Sequence, residues 1–427
     1  MTTSSKTSPF ESNMDSKLNV FLVGGAVRDH LLGRDILERD YLVVGSTPEQ
    51  MDALGFKIVG KDFPVYLHPQ TKEEYALART ERKKGHGYKG FECYAEPDVT
   101  IEQDLIRRDL TVNAMAMSAD GQIIDPYHGQ KDLQNKVLRH VSLAFAEDPL
   151  RVLRVARFAA RYHQYGFEVA EETYQLMQQM AKSGELTSLT PERIFKELSR
   201  ALDEPNPEVF FTVLKKSHAL SEIWPELDNL WDVPNPAQHH PEICSAKHTL
   251  LALQQAVKLH ASTQVRFAVL CHDLGKGLTP SECWPQHRGH EKSGLTLVEK
   301  SCQRFKVPND YKALALLSCE FHLHAHRAFE LKPSTLLKLF NQFDIWRNQS
   351  LFEEFILVCQ ADFNGRTGHE DFVYHQADYL VSAANAAKGI VAKPFVMQGL
   401  KGKAIKEAMN QARLAQIKLI KSTWQHQ

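Results

Sequence analysis

The chain has 427 residues, 43% of them hydrophobic and 24% charged, with 51 lysines and arginines against 52 aspartates and glutamates. That length exceeds what one hydrophobic core usually serves, so about two to four domains are expected, and a formal net charge of -1 excludes a protein that coats nucleic acid by bulk attraction. Seven cysteines without a C-x-x-C pair give neither a disulfide framework nor a zinc ribbon; they fit a reducing compartment, with the cytoplasm as the expected location.

The opening "MTTSSKTSPFESNMDSKL" lacks the apolar core of a signal peptide and reads as a polar, disordered tail, with Met14 as an alternative start. No apolar run approaches the ~20 residues a bilayer crossing needs, so no membrane partner is expected. Up to residue 140, strand-like segments ("NVFLV", "YLVVG", "PVYLH", "EYALART") alternate with helix-like ones. From there the period is helical, as in "PLRVLRVARFAARY", "EETYQLMQQMAK", "PERIFKELSRAL", "VRFAVLCHDLG" and "SLFEEFILVCQADF". Proline-rich breaks at 203–208 and 232–241 cannot lie inside helices. The fold class expected is α+β: a tail over 1–17, a small head of mixed or antiparallel sheet with helices over 18–140, a helical neck and body over 141–235, a second helical domain over 236–366 and a helical C-terminal tail over 367–427.

In "VFLVGGAVRD" a strand runs into two glycines and then a helix, a turn that lets backbone approach a ligand and points free N–H groups at an anion. Glu38 and Asp40 follow one residue apart at the start of the next apolar run. Alternate residues on a strand share a side, and two carboxylates that close repel unless a cation separates them. Mg²⁺ suits such a pair, because it completes its shell with water and substrate phosphates. The plain alternative is a polar strand entrance, with Arg34 and Arg39 as counter-charges. The glycine turn and Arg28 ahead of the acids favour nucleotidyl transfer.

Downstream, "ERKKGHGYKGF" has the composition of a mobile basic loop or a solvated hairpin tip. In "EDPLRVLRVARFAAR", at about 100° per residue, Arg151, Arg154, Arg157 and Arg161 fall on one side of a helix. A stripe of like charges points to an anion, since plain solvated faces mix signs. Asp148, followed by Pro149, also reads as a helix N-cap.

The second half carries an ordered set of metal-ligand types: His248, then His272 and Asp273 in "CHDLGKG", His290, His322, and Asp362 in "CQADFNGR". This set resembles the HD superfamily of metal-dependent phosphohydrolases. His248, His272, Asp273 and Asp362 can converge on one divalent ion that activates water; His290 and His322 would matter only for a second ion. His239, His260, His324 and His326 read as ordinary histidines.

The pattern G-G-x-V-R-D with two spaced acids, "DLIRRDLTVNAMA", "DPYHGQKDL", "EDPLRVLRVARFAAR" and "HDLGKG" come in the order of the nucleotidyltransferase superfamily, in its tRNA nucleotidyltransferase and bacterial poly(A) polymerase branch. The resemblance covers most of residues 19–366 and is strongest to bacterial multifunctional CCA-adding enzymes with an HD domain. One departure stands out: that family carries aspartate at both metal positions, where this chain has Glu38 at the first.

The resemblance implies CCA addition to tRNA 3′ ends from CTP and ATP, with Mg²⁺ on Glu38 and Asp40. Gly25 and Arg28 would meet the triphosphate, Arg108, Arg154 and Arg157 the nucleotide, and Asp109 and Asn113 the ribose, with Arg161 continuing the stripe. Cytosine and adenine both offer an amino donor beside a ring-nitrogen acceptor, so Asp148 and Arg151 on one helix face could select them without a template. The HD domain implies phosphatase and 2′,3′-cyclic phosphodiesterase activity with Ni²⁺ or Mg²⁺. The tRNA would be held by shape and phosphates, by a monomer or homodimer. The alternatives are a poly(A) polymerase, a protein-modifying uridylyltransferase, or an HD phosphohydrolase with an inactive head.

Overall fold

The computed structural model describes residues 17–59, 65–83, 91–237 and 242–424. Of the basic loop, 84–90 lie outside the described residues, as do His239 and the tail before residue 17. The chain divides into two compact units, one made of 1–197 with 209–222, the other of 198–208 with 223–427.

The first unit holds the mixed sheet expected of an α+β head. Strand β1 (Asn19–Val23) buries Val20, Leu22 and Val23 and pairs antiparallel with β2 (Asp40–Val44), with Val23 opposite Asp40. Next come β3 (Lys57–Val59), β4 (Val65–Leu67) and β5 (Glu74–Leu77), while β6 (Thr80–Lys83) and β7 (Phe91–Tyr94) form a separate antiparallel ribbon. With β8 (Ala116–Met117) and β9 (Ile123–Ile124) the main sheet has the order β3-β4-β5-β2-β1-β8-β9. Its parallel pair is β2 with β5, which sets Asp40 beside Glu74. Val23, Leu42, Leu105, Ala114 and Ala116 pack into one core cluster behind this register.

The helix Leu150–Tyr162 follows, its apolar positions Val152, Leu153, Val155, Ala156 and Ala160 fully buried. Among the described residues after 140 the elements are helices, apart from a two-residue strand, Glu168–Val169, pairing parallel with Val137–Leu138, and an isolated bridge between Pro234 and Cys244. Such a short bridge carries too little period-2 pattern to be read from sequence.

The named elements of the second unit are all helices. Its central helix, Thr263–Cys271, is capped by Ser262 and buries Val265 through Cys271. It ends at His272 and Asp273, and a 3₁₀ turn (Leu274–Leu278) then passes under the start of the helix His290–Phe305. The crossing admits no side chain: a Cβ on Gly275 would meet the His290 carbonyl oxygen at 2.0 Å and the Gly294 nitrogen at 2.7 Å. Among the described residues, no helix is long and apolar enough to cross a membrane.

Gly275→Ala is therefore expected to destabilise the second unit by about 3 kcal/mol through overpacking. Denaturant unfolding followed by the Trp224 and Trp284 fluorescence would detect it; an unshifted midpoint contradicts the close crossing.

Candidate functional site

The head site is built where β1 stops. Gly24, at φ +70°, turns the chain out of the strand, and the helix Gly25–Leu31 begins with the Arg28 amide donating to the Gly24 carbonyl at 3.2 Å. The left-handed backbone favours glycine. The space above it is filled by a guanidinium, since a Cβ on Gly24 would lie 3.0 Å from Nη1 of Arg108. Arg108 is held from behind by the fully buried Asp104, whose Oδ2 accepts from its Nη2 at 3.1 Å and whose Oδ1 pairs with Arg107.

Asp40 opens β2 beside this turn. The protein around its carboxyl, then the Glu74 carboxylate, lift its pKa above the usual range; Arg108 pulls the other way and Glu38 adds a smaller push. Glu38 lies in the irregular segment before β2 and not on the strand, so the alternation argument from sequence does not hold for it. The reason is the ladder: β1 ends opposite Asp40, and no strand edge remains to pair with residue 38. Glu74 and Glu38 nonetheless both push on Asp40 electrostatically. A hard, oxygen-seeking divalent cation fits that donor set.

Arg28 is buried, its Nη1 donating to Asn113 Oδ1 at 2.5 Å and its other nitrogens to Asp29, with its carbon 5.0 Å from the Tyr162 ring centroid. Asn113 donates to Asp109 Oδ1 at 3.0 Å, and Asp109 Oδ2 accepts from Arg154 at 2.7 Å. Burial alone would raise the Asp109 carboxyl, but Arg154 and Asn113 outweigh it and hold it far below the usual range. The structure thus joins Arg28, Asn113, Asp109 and Arg154 into one polar chain.

The arginine stripe is not an unneutralised face. Arg154 pairs with Asp109, Arg157 with buried Glu197 at 2.6 Å, and Arg151 donates to the Ala144 and Arg107 carbonyls at 2.6 and 2.5 Å. Arg161 stands in the last turn and also has partners. The counter-charges come from other elements, which helical periodicity does not display. Asp148 and Arg151 are joined through the backbone, the Arg151 amide donating to the Asp148 carbonyl at 3.0 Å, while the Asp148 side chain is engaged elsewhere: Oδ1 accepts the Leu150 amide and Oδ2 accepts from Arg193 at 2.8 Å.

The second site collects side chains from four helices and one helix end. His248 sits on Ser245–Lys258, His272 and Asp273 follow Thr263–Cys271, His290 begins its helix, His322 lies on Asn309–His326 and Asp362 on Gln349–Asn364. All six are buried. Ligand atoms of His248, His272 and Asp362 lie within 4.8 Å of one another, as do those of Asp273, His290 and His322.

Burial pulls His272 down, but Asp273 and Asp362 outweigh it and lift it to about 9. Asp362, which burial alone would raise, is held well below the usual range by His326 and His272. The Nε2 of His272 and Oδ1 of Asp273 make no hydrogen bond of acceptable geometry. Buried nitrogen and carboxylate donors left in this state fit a divalent transition ion.

Sequence reasoning missed several members of both sites. Glu74 reaches Asp40 only through the sheet register. Arg193 and Glu197 are spaced four apart on Pro191–Asp203, a signal that was present but had no visible partner. In the second site Glu242 lies 2.9 Å from His248 Nδ1, Lys276 2.6 Å from Asp273, and His326, read as ordinary, 2.6 Å from Asp362.

A curated relative from Vibrio campbellii, "Multifunctional CCA protein", is 54% identical over 402 residues, covering 94% of this chain and 99% of its own. The chain belongs to the multifunctional CCA protein family. Family matches divide it in the same order: "Poly A polymerase head domain" over 20–139, "Probable RNA and SrmB- binding site of polymerase A" over 166–230 and "HD domain" over 245–362. A solved apo CCA-adding enzyme shares the fold, with a TM-score of 0.64 at 20% identity over 96% of this chain and 90% of its own. So does a Thermotoga maritima CCA-adding enzyme solved in complex with tRNA, with a TM-score of 0.62 at 20% identity, covering 96% and 89%. The resemblance read from the motifs is thereby shown.

Because Arg154 and Asn113 hold the folded Asp109 carboxyl far below its ordinary pKa, Asp109→Asn should cost about 3 kcal/mol at pH 7. A depressed folded pKa contributes stability above the unfolded value and loses it as pH falls, so the gap should narrow below about pH 4. Urea unfolding of both proteins from pH 3 to 8 checks this; a gap that is constant with pH refutes it.

Proposed function

We propose that this multifunctional CCA protein adds C, C and A to tRNA 3′ ends from CTP and ATP without a template, and that its second unit is an HD phosphohydrolase. Family membership across 94% of the chain carries this reading, supported by the acids at the mouth of β2 beside the glycine turn. Residues 18–140 form the catalytic head, 141–235 the neck and body, 236–366 the HD domain and 367–427 the tail, with 1–17 as a leading extension.

Glu38 and Asp40 hold Mg²⁺ in this reading, and the bound ions supply charge neutralisation at the phosphate and a lowered pKa at the attacking 3′-hydroxyl. Glutamate at the first position keeps the charge and adds a methylene. The residues around it position the nucleotide: Gly25 offers its backbone N–H, Arg108 its guanidinium, and the Arg28–Asn113–Asp109–Arg154 chain keeps the turn and the Leu150–Tyr162 helix in fixed relation. Arg157 supports that helix from Glu197.

Asp148 and Arg151 read the base. An aspartate accepts the exocyclic amino proton of cytosine or adenine while an arginine donates to the ring nitrogen; uracil and guanine present the reverse pattern. Asp148 now accepts from Arg193 and Arg151 donates to two carbonyls. Reading a base therefore exchanges those bonds for bonds to the nucleotide.

In the HD domain His248, His272, Asp273 and Asp362 hold a divalent ion, Ni²⁺ or Mg²⁺, which lowers the pKa of bound water for phosphoester hydrolysis. The substrates of this site are phosphomonoesters and 2′,3′-cyclic phosphates.

Purified protein with tRNA lacking CCA and labelled nucleotides tests the reading. Two C and one A should be incorporated, Asp40→Asn should slow addition by roughly two to three orders of magnitude, and Glu38→Asp should retain it. A-only tracts favour a poly(A) polymerase, and no incorporation with intact phosphoesterase activity favours an inactive head.

A further inference from the structure

Between the helix Gly25–Leu31 and β2 the chain runs through residues 34–39 without regular structure, and this stretch carries Glu38. Among the described residues, none of 35–38 takes part in a backbone–backbone hydrogen bond. The place of Glu38 is therefore set by side chains: half-buried Ile36 and an arginine at each end of the loop. Arg39 stands with Nη1 3.8 Å from Glu73 Oε1, just ahead of β5. At the other end Gly33, at φ +67°, turns the chain back, and the Arg34 amide donates to the Asp29 carbonyl at 2.8 Å.

This turn lays the Arg34 guanidinium over the end of the Leu150–Tyr162 helix. Its carbon lies 5.0 Å from the ring centroid of Tyr165, in the 3₁₀ turn that follows the helix, and 5.6 Å from that of Tyr162. Both distances are within reach of cation–π attraction. As a counter-charge Arg34 would face an acid; among the described residues it makes no ion pair, and its charge meets two rings instead. The stack is continuous with the site. Tyr162 also carries Arg28 at 5.0 Å, and its hydroxyl donates to Asp29 Oδ1 at 3.1 Å, the same oxygen that accepts from Arg28. The loop is thereby tied to the Arg28–Asn113–Asp109–Arg154 chain.

We propose that Arg34 is a positioning residue: clamped against Tyr162 and Tyr165, it holds the loop so that Glu38 meets the head's metal ion beside Asp40. The inference rests on the reading of Glu38 and Asp40 as the metal pair and adds the device that aims the first of them. Off the strand, Glu38 has no ladder to orient it, and the longer glutamate arm adds a rotor. A clamp four residues away orders the backbone before the ion arrives, so that ordering the loop does not weaken metal binding. It touches neither nucleotide nor metal, and acts through Glu38 alone.

The test uses the full-length protein and tRNA lacking CCA, with the rate of C addition measured against Mg²⁺ and CTP. Arg34→Ala and Tyr165→Leu should each lower kcat by about tenfold and raise the Mg²⁺ needed for half-maximal rate, with the CTP KM unchanged. Tyr165→Phe keeps the ring and should retain the parent values, and the double variant Arg34→Ala with Tyr165→Leu should be no worse than either single one, since one contact is lost once. The second readout is Mn²⁺ binding followed by EPR: the head's share is the part lost in Asp40→Asn, and Arg34→Ala should weaken that share alone. An unaltered share and kcat in Arg34→Ala and Tyr165→Leu, or additive losses in the double variant, overturn the clamp and leave the metal reading standing. Full Mn²⁺ binding and full activity in Asp40→Asn overturn both. Tyr165 is 43% exposed, so Tyr165→Leu against Tyr165→Phe decides even where Arg34→Ala fails to fold.

Discussion

A carboxylate with almost no access to water organises the first unit. Burying Asp109 unpaired would cost several kcal/mol, so it must be met by donors. Arg154, Asn113 and the Leu110 amide meet it. Because those donors belong to the segment after β7 and to the Leu150–Tyr162 helix, satisfying one charge fixes two elements against each other. Arg28 extends the same constraint to the glycine turn through Asn113. The glycine turn and the Leu150–Tyr162 helix are therefore held in one frame.

The second unit shows the opposite use of buried polarity. His272, His290 and His322 spend Nδ1 on backbone carbonyls and turn Nε2 toward carboxylates, while His248 Nδ1, His272 Nε2 and Asp273 Oδ1 are left without proper hydrogen bonds. Asp109 is complete within the chain; the HD centre keeps donor atoms that a divalent cation would satisfy. This contrast separates a structural ion pair from a metal site more sharply than burial does, since both are equally buried.

The helix Leu150–Tyr162 shows how far sequence carries. Its apolar face and its cap at Asp148 were legible, because both depend on local period and residue type. The state of its arginines was not. Glu197 lies 40 residues from Arg157 and Asp109 lies 45 from Arg154, so a stripe that looked exposed is compensated by tertiary partners. Glu38 failed in a similar way: spacing of two implies a shared side only where a strand exists, and the ladder starts at Asp40.

By itself the sequence determined the class of each element, the α+β head followed by helices, the order of the motifs and the family they belong to, since period, punctuation and motif order are properties of the chain alone. Tertiary structure decided which charges are spent and which are available. Glu74 joined Asp40 through a parallel register, Arg193 took Asp148, and Asp273 was placed between two sets of histidines. These juxtapositions join residues distant in the chain, and hydrogen-bond and ion-pair energies are decided only by such close approach.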